Sequence, residues 1–403
     1  MKPSLACVCL LSLGVACSAG GGGTSDSRGA SGASNSAGAA TNAGGNSATG
    51  GTATSGGSAG TASATAGASN GGSAGSSNGG ASGAGNSAGA GGAAGTSATG
   101  FKCPASPGTF TLPTGKAEHI PGTTPVDSFN MNAGFTNVEG PVWIGDSLYF
   151  SEMLGGSLPP SRILKLTPPG NTVSVAVADS GSNGMAVDSN GNLIAAVHKD
   201  GSISQVTLPS GPVTPIVSMY MGNRFISPND LAVRSDGTIY FSDPNYQNST
   251  NPPPQTAQRL YRVTPAPART VSVIADAPMM PNGVTLSPDE STLYVDGTTG
   301  LMKFAVMTDG SLGPASMFVM NYSGDGMVVD CAGDLYVAGG SSNVTVYSAA
   351  GATLGTITTD NGGTSTNVAF GGADHKTLYI TAQGNDGQRG VFSIVMPIAG
   401  FPY

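Results

Sequence analysis

The chain carries little charge. Of its 403 residues only 15 are Lys or Arg and 23 are Asp or Glu, and the basic residues never gather into a run. With a net charge of −8, this argues against nucleic acid or an anionic lipid surface as the main partner. Long apolar runs are missing beyond the first seventeen residues, so no later segment has the length to cross a bilayer as a helix. Helical periodicity is missing as well, which leaves an all-β chain. Cysteine is scarce. Cys7, Cys9 and Cys17 lie in the leader, and only Cys103 and Cys331 fall in the part with core-forming composition. No Cys–Cys or Cys–His spacing suits zinc.

What is present divides into three parts. In residues 1–17, Lys2 precedes the apolar run Leu5 to Ala16 and then Cys17, the pattern of a secretory signal peptide. The phrase LGVAC resembles a bacterial lipobox, with Gly14 where that motif favours Leu and Leu13 one place further back. Acylation of Cys17 would leave a membrane-anchored lipoprotein. Simple cleavage would release a periplasmic or secreted one. Residues 18–100 are nearly all Gly, Ala, Ser, Thr and Asn, with only Asp26 and Arg28 charged. Such a segment has nothing to bury against its backbone entropy, so a disordered linker is expected. Its reach is roughly 50 Å by random-coil scaling. Residues 101–403 form the folded domain, read as a monomer. Export permits a Cys103–Cys331 bridge, and sequence alone leaves pairing and free thiols both open.

Within that domain one phrase recurs six times: WIGDSLYFSE, DSNGNLIAAV, RSDGTIYFSD, SPDESTLYVDG, DCAGDLYVAG and GADHKTLYITA. Each is a polar turn followed by alternating apolar and aromatic residues, the signature of a hairpin entering a strand. The interval, about 42 to 54 residues, is that of a four-stranded propeller blade. A six-bladed β-propeller is expected. The last repeat lacks an outer strand, which FTLPTGKAEHIPG at the start of the domain would supply.

About ten residues before each turn stands a polar residue ahead of a short apolar strand: Glu139, Asn183, Asn229, Asn282, Asp325 and Asn367. Singly, each reads as a turn former of the Asn-Gly or Asp-Gly kind. At one shared phase on six inner strands, they would converge on one mouth of the central channel. Two carboxylates with several amide oxygens form a hard-oxygen set suited to Ca²⁺ or Mg²⁺. Return strands ending in Glu152, His198, Asp243, Asp296 and Gln383 would bring those residues to the same mouth.

These phrases resemble the SMP-30/gluconolactonase/LRE-like family of six-bladed, calcium-dependent lactonases, from about Phe135 to Pro397. EGPVW, RFISPNDLAV with FSDPNY, PNGVTLSPD, GDGMVVD and STNVAFGGADHKTLYITA carry the likeness. The resemblance implies that Glu139, Asn282 and Asp325 hold one divalent ion (Ca²⁺ first, then Mg²⁺, Mn²⁺ or Zn²⁺). Asn229 would contact the ion or the substrate, and Asp325 would accept a proton. Arg224 falls near a substrate-contacting arginine. Asn183, His198, Asp243 and Asn367 complete the expected substrate-binding set. Three departures sit where substrate would be recognised: Ile226 in place of an Asn, AVHKDGS without the usual Gly and Arg, and a longer YFSEMLGGSLPPSRI.

The expected chemistry is hydrolysis of a small lactone or ester by water activated beside the ion, with Asp325 as general base. A phosphotriesterase-type hydrolase and a non-enzymatic, surface-displayed binding module are the alternatives. GGSAG and GNSAG match the serine-hydrolase GxSxG pattern, yet both lie in the low-complexity linker and neither follows a strand.

Overall fold

The computed structural model describes residues 101–121, 135–153, 160–248, 253–275, 277–322, 324–339, 343–360, 363–384 and 389–401. The expected signal peptide, the lipobox at Cys17 and the linker lie outside the described residues. Alternating apolar residues become strands throughout, and no helix is found among the described residues.

The strands form six antiparallel four-stranded sheets and one two-stranded hairpin. Blade 1 runs through Asn137–Ile144, Ser147–Met153, Ser161–Thr167 and Thr172–Val177. Blades 2 to 5 repeat that meander, with inner strands Ser182–Val187, Leu231–Val233, Val284–Leu286 and Met327–Val329. Blade 6 takes Thr364–Gly371, Thr377–Gln383 and Gly390–Val395 from the end of the chain. Its outermost strand is Glu118–Ile120, paired antiparallel with Val391–Ser393. The missing strand therefore comes from the start of the domain, as the sequence suggests.

Strand alternation explains why the ring holds. Successive side chains on a strand face opposite neighbours: Tyr294 packs toward blade 5, while Leu293 and Val295 pack toward blade 4's other side, against blade 3. The buried apolar residues consequently fall into six clusters, one at each junction between adjacent blades. Every junction is a sheet-on-sheet core, and each fully buried Leu, Val or Phe in it contributes about 1.5–3 kcal/mol. The inner strands touch in a closed cycle, blade 1 against blades 2 and 6.

One end of the channel, the floor, is closed by the chain's own tail. Phe401 N–H donates to the Val329 carbonyl (3.0 Å), Cys331 N–H to Ala399 (2.9 Å) and Gly400 N–H to His375 (2.8 Å). Cys103 and Cys331 form a disulfide across 228 residues of sequence, which decides the pairing the sequence left open. The cavity along the axis, lined by inner-strand residues and Phe401, has a volume of about 40 Å³, room for only a few waters. A ligand larger than that does not fit within the channel.

Candidate active site

At the mouth the chain enters every inner strand, and the entry residue of each blade is polar. Glu139, Asn183, Asn229 and Asn367 are buried, and Asn282 and Asp325 are half-buried. The turn reading of the Asn-Gly and Asp-Gly pairs is corrected here. Gly283 and Gly326 are not left-handed. They are needed because a Cβ at Gly283 would strike the Asp325 carbonyl, and one at Gly326 the Asn367 amide. Glycine lets adjacent inner strands approach to backbone contact, as in the Gly326 N–H to Thr366 carbonyl bond (2.8 Å) and the Gly184 N–H to Asn229 bond (2.7 Å).

Blade 3 breaks that pattern with Asp230. Its Oδ1 accepts Leu231 N–H (2.9 Å), and its Oδ2 reaches across the junction to accept Val284 N–H (3.1 Å). Asp230 was not singled out from sequence, although it follows Asn229 in the SPND phrase. With Glu139 and Asp325 it makes three carboxylates from alternate blades, and its charge raises both of the others. Burial, then the Asp230 charge, pushes Glu139 up to about 8. Asp325 is pushed well up by enclosure and by the charges of Glu139, Asp296 and Asp230. Burial lifts Asp230 and Asp296 to about 7 each. No Lys or Arg side chain pairs with any of these four among the described residues.

Amides steer the two outer carboxylates. Asn282 hydrogen-bonds Asp325, and Asn367 hydrogen-bonds Glu139 while its Oδ1 accepts Val368 N–H (2.8 Å). Asn367 thus orients Glu139, a role different from the substrate contact expected of it. Asn229 Nδ2 donates to Gln247 Oε1 at 3.4 Å.

The return-strand residues divide. Asp243, lifted to about 7 by burial, spends both oxygens on the Ile226 and Ser227 N–H groups (2.9 and 2.8 Å). It holds the loop leading to Asn229, so its expected direct role in substrate binding is not what this geometry favours. Glu152 is likewise committed, paired with Arg162 at 2.7 Å and accepting Thr136 N–H. The Arg224 guanidinium braces blade 2 against blade 3 through the carbonyls of Phe225, His198 and Lys199. Asp296 differs. Its Oδ2 accepts Gly324 N–H (3.0 Å), but its buried Oδ1 has no partner. On blade 2, Asn183 Nδ2 and both ring nitrogens of His198 are also buried without partners. Burial holds the imidazole neutral, with its pKa lowered to about 4. Tyr246 and Tyr322 stand within the fields of Asp325 and Asp296. Neither was drawn from sequence, though Tyr246 lies in the FSDPNY phrase.

The sequence profile described as the SMP-30/Gluconolactonase/LRE-like region matches residues 138–384. The chain belongs to this family. Among relatives of this SMP-30/gluconolactonase-like chain is the gluconolactonase of Zymomonas mobilis, 28% identical over 61% of this chain and 76% of its own. Pentonolactonase XacC of Haloferax volcanii is 27% identical over 62% of this chain and 82% of its own. A solved gluconolactonase from Xanthomonas campestris is 31% identical, with a TM-score of 0.57, over 65% of this chain and 87% of that one. The calcium-binding protein regucalcin of Agrobacterium tumefaciens, at 20% identity and a TM-score of 0.54, shares the fold.

The family implies a divalent cation, and the residues present fit one. Buried carboxylates without a cationic partner are costly, and here Glu139, Asp230 and Asp325 crowd one axis. The buried Oδ1 of Asn282 has no hydrogen-bond partner beside them. Among the described residues no three His, Cys, Asp or Glu side chains converge closely enough to share an ion. The fitting set is therefore mixed: Glu139 and Asp325 with the amide oxygens of Asn282 and Asn229, a hard-oxygen environment.

Proposed function

We propose that the protein is a hydrolase of lactones that works with one divalent cation at the mouth of the propeller. The observation that carries this reading is the set of carboxylates at the axis, unneutralised by any basic side chain among the described residues and bordered by an unpartnered amide oxygen, in a chain of a lactonase family. Glu139, Asn229, Asn282 and Asp325 would hold the cation, Ca²⁺ in the first place and Mg²⁺, Mn²⁺ or Zn²⁺ after it. When bound, the cation supplies Lewis-acid polarisation of a carbonyl oxygen.

The chain's own residues handle the rest. Asp325, aligned by the Asn282 amide, takes the proton of the attacking water as general base. It returns that proton to the ring oxygen as the acyl C–O bond breaks, leaving a hydroxy acid. Asn367 keeps Glu139 in place, and Asp230 ties blade 3 to the strand that follows Asn282. Asn183 offers a donor. Neutral His198 offers one donor and one acceptor, so blade 2 can meet the polar atoms of a substrate. Arg224 and Asp243 shape the loop that carries Asn229. In the same reading the domain works outside the cytoplasm, after a signal peptide ending at Cys17 and a flexible linker, and the Cys103–Cys331 bridge suits an oxidising compartment.

The test is metal analysis of the purified protein followed by a panel of lactones, simple esters and phosphotriesters, with and without exhaustive EDTA treatment. Lactone turnover that vanishes with EDTA and returns with Ca²⁺ is expected. Turnover untouched by EDTA overturns the scheme. A bound ion without turnover of any of these compounds identifies a binding module instead.

A further inference from the structure

Among the described residues, one side of the mouth is rich in exposed methionine. In a propeller the link from the outer strand of one blade to the inner strand of the next lies on the mouth side. The three links that lead into Asn229, Asn282 and Asp325 all carry exposed methionines. The first is the hairpin Met219–Tyr220 with Asn223–Arg224, where Met219 is 60% and Met221 83% exposed. The second holds Met279, 67% exposed, and the third ends blade 4 with Met320, 70% exposed. These are four of the five most exposed large apolar side chains among the described residues; the fifth, Val395, ends a strand on the floor side. Methionines scattered singly would need no explanation, whereas concentration on consecutive links around one site is the pattern of a ligand surface.

The apolar half continues inward to the carboxylates. The Tyr246 hydroxyl donates to the Met280 carbonyl at 3.3 Å, and Tyr322 donates to Val337 at 3.4 Å. Both phenols lie in the field of Asp325. Among the described residues, the links into blades 2 and 6 carry charged side chains instead. The link into blade 2 holds Asp179, paired with Lys199 at 2.5 Å, and the link into blade 6 holds Asp360, which accepts His119 N–H. Methionine is unbranched and polarisable, so a group of them packs on an apolar ligand without demanding one fixed shape.

Resting on the hydrolase reading above, the geometry points to a substrate that is a lactone bearing an apolar substituent, an alkyl chain or aryl ring of several carbons, which lies over the methionine half of the mouth. The polar half at blade 2 takes the ring's own oxygens. A fully hydroxylated lactone would leave the methionines wet and bring hydroxyls against them.

The experiment compares three six-membered lactones on the Ca²⁺-loaded full chain: δ-valerolactone, δ-decalactone with its pentyl tail, and glucono-δ-lactone. Each methylene buried should raise kcat/KM about three- to fourfold, so δ-decalactone should exceed δ-valerolactone by at least about tenfold, and glucono-δ-lactone should be no better than δ-valerolactone. In the double variant Met279→Ser/Met320→Ser that ratio should fall severalfold toward one. A readout without turnover is calorimetry with the product 5-hydroxydecanoate, whose binding should carry a negative heat-capacity change that the double variant diminishes. Equal or faster hydrolysis of δ-valerolactone or glucono-δ-lactone overturns the inference, as does a ratio unchanged in the variant. If no lactone is turned over but 5-hydroxydecanoate binds with the expected heat capacity, the hydrolase reading falls and the apolar half stands. Neither turnover nor binding overturns both.

Discussion

The two ends of the channel are built on the same strands, yet their leading acidic groups are treated differently. At the floor, Asp330 has both oxygens engaged, by the Ala332 and Asp334 N–H groups and by the Tyr336 hydroxyl. Glu290 is similarly committed to the Ser235 N–H and hydroxyl. At the mouth, Asn282 Oδ1, Asp296 Oδ1, Asn183 Nδ2 and the His198 nitrogens lack partners, and the charges of Glu139, Asp296 and Asp230 raise Asp325. A buried polar group that is satisfied stabilises the fold. One that is left open costs free energy until a ligand satisfies it. The floor therefore holds the ring, and the mouth holds the chemistry.

That contrast predicts opposite outcomes for variants at the two ends. Asp325→Ala or Glu139→Ala should lower lactone kcat/KM at least about a thousandfold and abolish cation binding by calorimetry. The melting temperature of the cation-free protein should not fall, because a carboxyl that is costly to bury has gone. A mouth variant that melts far lower would make these residues structural. Cys331→Ser should do the reverse. Opening a 228-residue loop should cost about 2–5 kcal/mol of stability, seen as a lower melting temperature, with turnover at 25 °C within about twofold of the wild type.

The smallest effect is a pH dependence. Glu139, at about 8, and Asp230 and Asp296, at about 7, are raised in the fold. The folded state therefore holds protons that the unfolded chain has already released. Their contribution to stability is full below the unfolded carboxylate range and is lost as pH rises through 7 to 8. His198, lowered to about 4, opposes this below its unfolded value and is outnumbered. Without cation, the melting temperature should rise as pH is lowered from 8 to 6. Saturating Ca²⁺ should flatten that slope, and a slope of equal size with and without Ca²⁺ would separate the acidic cluster from the ion.

The blades and the inner-strand phase were legible because both are periodic. Six turns and six polar residues at one offset survive without knowledge of any contact, and the family resemblance then marks Glu139, Asn282 and Asp325 among those six. Residues whose role depends on a neighbouring blade's backbone were not legible. Asp230 looks like any strand-leading acid until Val284 N–H is seen opposite it. Asp243 and Asn367 have the right side chains at the right level, but nearby amides had already claimed them. The tail's closure of the floor joins Phe401 to Val329, a pairing that no local pattern announces. The glycines misled for a related reason. Gly-containing turn dipeptides and glycines required by interstrand crowding have the same spelling.

The mixed parentage of blade 6 has a consequence for how the protein is made. Its outermost strand is the first of the domain to leave the ribosome and the other three are the last. A partly synthesised chain can stack early blades but has no means of shutting the circle, so it keeps an open, pliable arc until translation ends. In the exported reading proposed above, that delay would suit a polypeptide threading a translocon before it folds.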